Sequence, residues 1–470
     1  MTELKRPGPF TVEHYGRDPV PEDARRGSLS EVFWIWFAAN LAITSLVVGA
    51  VIASYGLAWW QSLIALSGLS SYLLVGYFSI PGCRTGRPTM VLSASSFGEL
   101  GNMLPSLLSW LNLVGWETVV LVIATYALQA AVQAAFGIPD SSGSIIGSLL
   151  VVTLLAFSVA FLGHRAIARV QTVFAYLFGA LTVVALVFWL PHVHWATLVV
   201  TRPGPWLTGV LPAFSIVVAV SGLSWVNTAS DYSRYLPVRT SGRQLAWVTT
   251  WASVVPAFIL TAFGVLLATG LPGLASSANP IALLESALPS WLALPYLLTA
   301  VGGMVTGDIM DVYSSGMSLL AARVRIPRSR TVFVDAVISI AASLYILLAA
   351  HSFIGTFEAF LTLLAGALAP WAAIFWIDLA GGRIGTGPEV AARMPAIVSW
   401  LVGVLAAVAF TSSGIFSGPL ATGVFAGSSL GLILSFGLTL ALYPLLRTLW
   451  PKGGQSAQVR SAQVPGGRGF

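Results

Sequence analysis

Long apolar stretches separated by short polar segments run through almost the whole chain. A helix of about 20 residues crosses the roughly 30 Å hydrocarbon core of a bilayer, and most of the stretches reach that length. The pattern therefore predicts an all-α polytopic membrane protein with twelve transmembrane helices. The predicted spans are 32–55, 57–80, 104–136, 145–162, 170–190, 209–228, 245–270, 291–320, 332–350, 356–378, 396–412 and 424–446.

The composition supports this class and excludes several others. Hydrophobic residues make up 56% of the chain and charged residues only 9%, whereas soluble domains carry about 25% charged residues. The first 31 residues contain no short apolar segment of the kind found in signal peptides. Cys83 is the single cysteine, which excludes an internal disulfide and a cysteine-based metal site. We expect no metal and no cofactor.

The basic residues predict the orientation. If the N-terminal arm (residues 1–31) is placed in the cytoplasm, every Lys and Arg except Arg202 falls on the cytoplasmic side. This distribution satisfies the positive-inside rule. It also explains the pI of 9.6 without a nucleic-acid partner. We therefore predict a multi-pass protein of the cytoplasmic membrane, in contact with lipid, with the arm and the tail (residues 447–470) both cytoplasmic.

Two spans contain residues that weaken a helix. Ser221, Gly222 and Ser224 interrupt the sixth span, and Asn40 follows two alanines in the first. A helix broken inside the membrane exposes backbone groups that are tolerated where they line a cavity, although Gly and Ser also form packing notches and Asn40 could be a polar packing residue. Weak helices at positions one and six predict an inverted repeat of five plus five helices with two added. The predicted units are residues 32–190, 209–378 and 396–446.

Three acidic residues lie deep in apolar spans, namely Glu117 in the third and Asp308 and Asp311 in the eighth. A central acid costs about 2.5 to 3.5 kcal/mol on insertion scales, and the predicted topology leaves no Lys or Arg inside the membrane. Protonation, a bound cation or a polar substrate must therefore compensate these carboxyls. The alternative is that they are neutral and hydrogen-bonded to the backbone.

Aromatic and charged neighbours complete the candidate chemistry. Trp116 precedes Glu117 and lies about 100° around the helix from it, so both can border one cavity. An indole face beside a carboxyl suits a flat, hydrogen-bonding heteroaromatic solute, although a membrane Trp can also be a packing residue. Asp231 and Arg234 are spaced for an i,i+3 ion pair with a structural or gating role. The sequence has no phosphate loop, paired-His metal spacing or nucleophile motif, which argues against an enzyme or an ATP-driven pump.

Several short motifs, taken as an ordered set, resemble those of the nucleobase:cation symporter family, whose members transport cytosine, purines, uracil, allantoin and thiamine-like pyrimidines. The likeness extends from about residue 10 to 380 and is greatest to the cytosine/purine branch. The motifs are GRDPVP at 16–21, Trp36 with Asn40, GRPTMVLS at 86–93, FG at 97–98, GW at 115–116, DYSRY at 231–235 and DVYS at 311–314.

The resemblance implies a leucine-transporter-like fold, alternating access and a substrate site among spans one, three, six and eight. It assigns substrate contacts to Trp116, to the interruption at 221–225 and to Asp308 and Asp311. The residues of the interruption assigned in this way are Ser221, Gly222, Ser224 and Trp225. Together with Asn40 and Glu117 they form the predicted substrate site.

The chain departs from the family pattern at three places. Span eight has Asp where relatives often have Asn, and Val120 replaces an amide one turn after Trp116. Sodium-coupled relatives have adjacent hydroxyls in span eight, whereas here Gly307 follows Thr306. The sodium site therefore looks incomplete. The candidate ion-coupling residues are Asp308, Asp311, Glu117 and Thr306, and we expect the coupling ion to be H⁺ rather than Na⁺.

These observations predict a cation-coupled symporter that imports a nucleobase such as cytosine or a purine. The same architecture would also suit a thiamine-precursor pyrimidine or a hydantoin- or allantoin-like base. A passive channel and a transporter of amines or amino acids are the alternatives from other classes. The oligomeric state and the preferred base are left open by the sequence.

Overall fold

The protein folds as a helical bundle. The computed structural model describes residues 12–277, 279–349, 353–385, 391–413, 416–428 and 430–450, without the side chains of 353–362, 413 and 424. The helices of the first half are α1 (Leu29–Ala39), α2 (Thr44–Ser54), α3 (Trp59–Leu66), α4 (Tyr72–Phe78), α5 (Ile80–Thr85), α6 (Thr89–Phe97), α7 (Met103–Phe136), α8 (Ser142–Leu162), α9 (His164–Trp189) and α10 (Trp195–Val200). 

The second half continues the helical pattern. Its helices are α11 (Leu211–Val220), α12 (Gly222–Trp225), α13 (Ala229–Ser233), α14 (Gly242–Leu267), α15 (Pro280–Ser286), α16 (Ser290–Ala321), α17 (Arg328–Ala349), α18 (Phe353–Ala380), α19 (Met394–Ala409) and α20 (Gly431–Leu449). The described strands, β1 (Ser412–Ser413) and β2 (Phe416–Ser417), form one short antiparallel pair. The architecture is therefore all-α, as predicted.

The number of spans differs slightly from the prediction. In the described part of the chain, 10 helical segments are long and apolar enough to cross a membrane, or 11 if the bent pair α1–α2 counts as one span. The helices α3, α4 and α5 together form one of these spans, Trp59–Thr85. The predicted eleventh span, α19, has only 16 residues, so the twelve-helix count is not met by length alone.

The first broken span is formed by α1 and α2, which meet at an angle of 55°. Asn40 ends α1, and its side-chain Nδ2 donates to the carbonyl of Trp36 at 2.8 Å. A side-chain amide that bonds to the preceding turn competes with the next helical hydrogen bonds. The four residues 40–43 between the helices therefore leave the backbone open at mid-span.

The second broken span is formed by α11 and α12. Ser221 separates them with φ −108° and ψ −117°, outside the helical region. A Cβ on the following Gly222 would lie 2.3 to 2.6 Å from backbone atoms of Ser71 and Tyr72, so only glycine fits there. The Gly222 N–H donates to the Ser71 hydroxyl at 3.1 Å. This hydrogen bond fixes the break against the second span. The predicted interruptions in spans one and six are thus both present.

The long helix α16 lies at the centre of the bundle. It packs against α7, α8, α9, α17 and α1. Within its most apolar stretch of 18 residues, 72% of the residues are buried. At the edge of the same bundle α2 crosses α14, where a Cβ on either Gly49 or Gly264 would lie 2.1 Å from a carbonyl oxygen of the other helix. These glycines allow the helix of the first broken span to approach α14 closely.

The polar arm packs on one face of the bundle, which we call the arm side. The backbone N–H of Val20 donates to Gly86, that of Gly27 donates to Tyr235, and the Arg25 guanidinium donates to Val20 at 2.7 Å. The opposite face is called the far side. The boundaries proposed for the two repeats and for the arm and tail are not tested by this arrangement, and the residues of the tail from 451 on lie outside the described part.

Candidate functional site

A cavity of about 630 Å³ lies between the two broken spans and the helices α7 and α16. Its volume is in the range of about 300 to 1,000 Å³ that holds small ligands in proteins. Apolar side chains such as Ile43, Val48 and Val220 line part of it, and further residues of the breaks and of α4, α7 and α16 line the rest. These further residues include Asn40, Tyr72, Trp116, Ser221, Ser224, Trp225, Gly303, Met304, Gly307 and Asp311.

Hydrogen bonds hold residues of each break at the cavity wall. The Tyr72 hydroxyl donates to Oδ1 of Asn40, and the Ser224 hydroxyl donates to the carbonyl of Ser221 at 2.8 Å. Asn40 therefore both lines the cavity and acts as polar packing between α1 and α4. Gly222 is on the other face, against Ser71, and does not line the cavity. The break in the sixth span thus combines a packing notch with a cavity wall.

Trp116 and Trp225 supply the aromatic surface of the cavity. Trp225 is held edge-to-face by Trp36, with the ring centroids 5.8 Å apart. The buried Trp116 Nε1 has no hydrogen-bond partner, and neither amide atom of Asn112, four residues earlier on α7, has one. Unsatisfied buried donors and acceptors each cost about 1 to 3 kcal/mol. A polar solute at this wall would relieve part of that cost.

The acidic residues are divided between the cavity and the helix interfaces behind it. Asp311 lines the cavity and is 5% exposed, whereas Asp308 is fully buried and is not part of the wall. Neither carboxylate oxygen of Asp308 has a hydrogen-bond partner. No described ion pair involves either residue, in agreement with the absence of a basic partner inferred from the sequence.

Glu117 does not border the cavity, which differs from the prediction that it shares one with Trp116. Its carboxyl is fully buried and accepts a hydrogen bond at Oε2 from the Ser339 hydroxyl of α17, at 2.9 Å. The rotation of about 100° between adjacent residues turns Glu117 toward α17 when Trp116 faces the cavity. The position of α17, which local spacing does not determine, therefore decides the contacts of Glu117.

Thr306 also lies outside the cavity wall. Its hydroxyl donates to the carbonyl of Ala38 at the end of α1, at 3.0 Å, and to Gly303 at 2.7 Å. Gly307, which lines the cavity next to it, contributes no side-chain oxygen. The carbonyl of Ala38, beside the first break, therefore accepts a hydrogen bond from the Thr306 hydroxyl of α16. In the described part of the chain no group of three or more His, Cys, Asp or Glu side chains is arranged to hold a metal ion.

Asp335 is a functional candidate that the sequence analysis missed. It lies on α17, fully buried, and accepts hydrogen bonds from Trp110 Nε1 at 2.8 Å and from the Ser315 hydroxyl at 2.9 Å. It lies near the start of the predicted span 332–350, where an acidic side chain is expected at the interface between membrane and water. The available signal was its position within the predicted span, three residues after the apolar stretch begins at Val332.

The arm side of the bundle is closed below the cavity by a buried ion pair. Arg234 Nη2 contacts Glu13 of the arm at 2.7 Å, and the side chains are 0% and 8% exposed. Glu13 also accepts from the Tyr313 hydroxyl and from the backbone N–H of His164, at 2.9 Å. Burial raises the pKa of Glu13, but Arg328 and Arg234 outweigh that effect and lower its pKa below the usual 4.5.

The predicted pair between Asp231 and Arg234 is not formed. Asp231 instead accepts from the backbone N–H of Thr89 at 2.8 Å and from its hydroxyl at 3.1 Å. The i,i+3 spacing brings the two residues onto one face, but α13 has only five residues and ends before Arg234, which turns toward the arm.

The cavity extends from the breaks toward the far side. Its wall there is formed by residues 275–277 and 279–281, by Leu284, and by Val51 near the end of α2. The arm side is closed by the pair of Arg234 and Glu13. The cavity therefore continues toward the far side, and the Arg234–Glu13 pair lies toward the arm side.

Comparison with known proteins places this geometry in a family. A family model described as "Permease for cytosine/purines, uracil, thiamine, allantoin" matches residues 19–430. YxlA of Bacillus subtilis (strain 168), named as a candidate purine-cytosine permease, is 26% identical over 464 residues, which cover 93% of this chain and 96% of that protein.

Solved structures share the fold. Mhp1, a nucleobase-cation-symport-1 family transporter in a closed conformation with bromovinylhydantoin bound, aligns with a TM-score of 0.70 at 15% identity over 92% of this chain and 95% of its own. A Na⁺-coupled sialic acid symporter in a substrate-bound outward-open state aligns with 0.64 at 14% identity over 93% of each chain. The predicted leucine-transporter-like fold is thereby confirmed.

Proposed function

We propose, from the premise that the chain belongs to the family of permeases for cytosine/purines, uracil, thiamine and allantoin, that it imports a nucleobase together with a proton. The chain is a multi-pass nucleobase transporter of that family, with a symporter fold, and is not an enzyme. The coupling ion, the direction and the preferred base are the parts that we propose.

The observation that carries the substrate assignment is the composition of the cavity wall. Trp116 and Trp225 offer aromatic faces, and Asp311 with Ser221 and Ser224 offers acceptors and donors. A nucleobase presents a flat ring for stacking and a polar edge for hydrogen bonds, and base stacking on protein aromatics is worth about 1 to 3 kcal/mol. We propose cytosine or a purine as the substrate, because the relative YxlA is named for these bases.

Access and orientation follow from the charge distribution. All Lys and Arg residues except Arg202 belong to segments assigned to the cytoplasm, and the arm that closes one end of the cavity carries five of them. We therefore propose that the arm side is cytoplasmic and that the cavity faces outward in this state. Import then requires the Arg234–Glu13 pair to separate while the far side closes.

Proton coupling is supported by the chemistry of the buried carboxyls. In the described residues Asp308, Asp311 and Glu117 form no ion pair with a basic side chain, and burial of an ionised carboxyl without one is strongly unfavourable. A sodium ion would need several converging oxygens, but Gly307 supplies no side-chain oxygen and the Thr306 hydroxyl donates to the carbonyls of Ala38 and Gly303. A proton needs only a carboxyl.

Uptake of radiolabelled cytosine, adenine and hypoxanthine in cells that lack their own permeases tests the proposal. We expect accumulation of at least one base above its external concentration, at fixed external pH, with sodium replaced by choline, and loss of accumulation on adding a protonophore. Transport that requires sodium and survives the protonophore would refute proton coupling. Competition by a thiamine-precursor pyrimidine or a hydantoin, but by none of the three bases, would change the substrate, and uptake without accumulation would indicate a passive channel.

A further inference from the structure

A fourth buried carboxyl lies beside Glu117, outside the cavity. The Ser339 hydroxyl donates to Glu117, and Asp335 lies four residues before Ser339 on the same face of α17. The Ser315 hydroxyl of α16 donates to Asp335 Oδ2 at 2.9 Å and is also near enough to Glu117 to interact with its carboxyl. The Ser315 hydroxyl thus lies between the acids of α7 and α17, and the Ser339 hydroxyl binds Glu117 alone.

The supply of donors differs among these acids. Each oxygen of Asp335 accepts a hydrogen bond, one of them from the indole N–H of Trp110, which can only donate. Glu117 receives one donor, and its buried Oε1 has no partner; both oxygens of Asp308 have none. Donors stabilise an ionised carboxylate, so the arrangement favours a negative charge on Asp335 and protons on Glu117 and Asp308.

None of the ion pairs among the described residues joins this group to a basic side chain. From α16 the titratable residues that face it are Asp308 and Asp311, and α8, which packs against α7, α16 and α17, carries no titratable residue. Arg328 begins α17 seven residues before Asp335, about 10 Å along the helix, and it donates to carbonyl oxygens at the end of α8 and stacks on Tyr313. In this group Glu117 and Asp335 therefore have hydroxyl and indole donors as partners, and Asp308 has no hydrogen-bond partner.

We propose that Glu117 and Asp335 form the site that carries the coupling proton, behind the substrate cavity rather than in it. This inference rests on the proposed proton coupling. The proton reaches Glu117 from Asp311 at the cavity wall. The Ser315 hydroxyl then accepts the proton of Glu117 and at the same time passes its own hydrogen to Asp335. The O–H bonds of Glu117 and of Ser315 break, and new O–H bonds form on Ser315 and on Asp335. The negative charge thereby moves from Asp335 to Glu117.

Asp335 is then the residue of release. The end of α16 and the start of α17 both lie on the arm side. Asp335 is seven residues from the start of α17 at Arg328, whereas Asp311 is ten residues from the end of α16, so Asp335 is the nearer of the two to the arm side. The site and the substrate cavity share α7 and α16 but have no residue in common. Loss of the proton site should therefore leave substrate binding intact.

The test separates exchange from accumulation in reconstituted vesicles that contain Asp335→Asn or Glu117→Gln. We expect exchange of labelled for unlabelled cytosine, without a gradient, to stay within about twofold of wild type. Accumulation driven by an imposed pH gradient should be lost, and the pH dependence of uptake should flatten. The matched control is Asp378→Asn, a buried acid that has its own basic partners, Arg383 and Arg447; it should retain both activities.

The outcomes distinguish the two proposals. If wild-type protein shows no accumulation driven by the pH gradient, proton coupling itself fails. If wild type accumulates and both variants accumulate equally well with the same pH dependence, the proton site is elsewhere and the inference is overturned. If the Asp335→Asn protein does not insert, two other variants test the site. Asp335→Glu retains a carboxyl and should accumulate cytosine. Ser315→Ala removes the bridging hydroxyl and should slow the accumulation of cytosine without changing exchange. Unchanged accumulation in Ser315→Ala would then overturn the route.

Discussion

Removal of the charge at Glu13 should open the arm side. Arg234 is completely buried and its only described carboxylate partner is Glu13, at 2.7 Å. Breaking a buried ion pair by removing one partner costs about 3 to 5 kcal/mol. In Glu13→Gln the amide oxygen still accepts, and Arg234 keeps its bonds to the carbonyls of Tyr15 and Gly16. We therefore take the lower value, about 3 kcal/mol, which corresponds to a change of about 150-fold in the closed-to-open equilibrium.

The measurement is the labelling rate of a cysteine buried at the arm-side end of α16. Cys83, the sole cysteine, is replaced by Ala, and Ser318→Cys is introduced on α16, where Ser318 is buried against Ser109 at 2.9 Å. Maleimide applied to the arm side of inverted vesicles should label this cysteine at least tenfold faster in Glu13→Gln than in the parent. Glu22→Gln, in an exposed part of the same arm, is the control and should label at the parental rate.

The pH dependence of the same labelling follows from the pKa of Glu13. Because that pKa lies below the usual 4.5 in the folded protein, the closed state keeps the contribution of the pair at higher pH and loses it only as the pH falls through the lowered pKa. Relative to the labelling of an exposed control cysteine, which corrects for the pH-dependent thiolate fraction, the parental rate should be constant between about pH 6 and 8 and should rise only in acid. An unchanged rate in correctly inserted Glu13→Gln protein would refute the role of the pair.

Three further predictions concern the break, the stack and the topology. Gly222→Ala should prevent correct folding or abolish transport, because its Cβ would overlap the backbone of Ser71, whereas Gly147→Ala, with open space around it, should have wild-type uptake. Trp116→Ala should weaken base binding about 5- to 150-fold, from a stacking loss of about 1 to 3 kcal/mol; equal affinity in the inserted variant would contradict the stacking role. A reporter fused after Phe470 should be cytoplasmic, and a periplasmic signal would reverse the orientation.

The sequence predicted the features that depend on local chemistry. The helices follow from the length of the apolar stretches, and the two broken spans follow from residues at the breaks themselves, such as Asn40 and Ser221. α19 was predicted as a full span because its apolar run continues to residue 412, but the helix ends at Ala409 and the chain turns into a short strand pair. Local composition does not give the helix end.

Features that depend on helix packing were not predictable. The partner of Arg234 is 221 residues away in sequence, and no spacing rule relates the arm to the end of the sixth span. Glu117 was assigned to the cavity because its neighbour Trp116 suggested one, but the facing helix α17 decides its contacts. Asp335 was overlooked for the same reason, since its importance comes from its proximity to Glu117 rather than from its place in its own span.

The charges of the protein are divided in a way that bears on coupling. Every ion pair found in the described residues belongs to the arm side, namely the pairs of Arg17 and Arg323 with Glu99, of Arg234 with Glu13, and of Arg383 and Arg447 with Asp378, whereas the carboxyls near the cavity have no basic partner. Opening the arm side hydrates a pair that was buried, so water offsets part of its loss. If Asp335 is the release site proposed above, the same opening would bring water toward it and let it lose a proton. Both changes then occur in one conformational step and toward one compartment, as coupled transport requires.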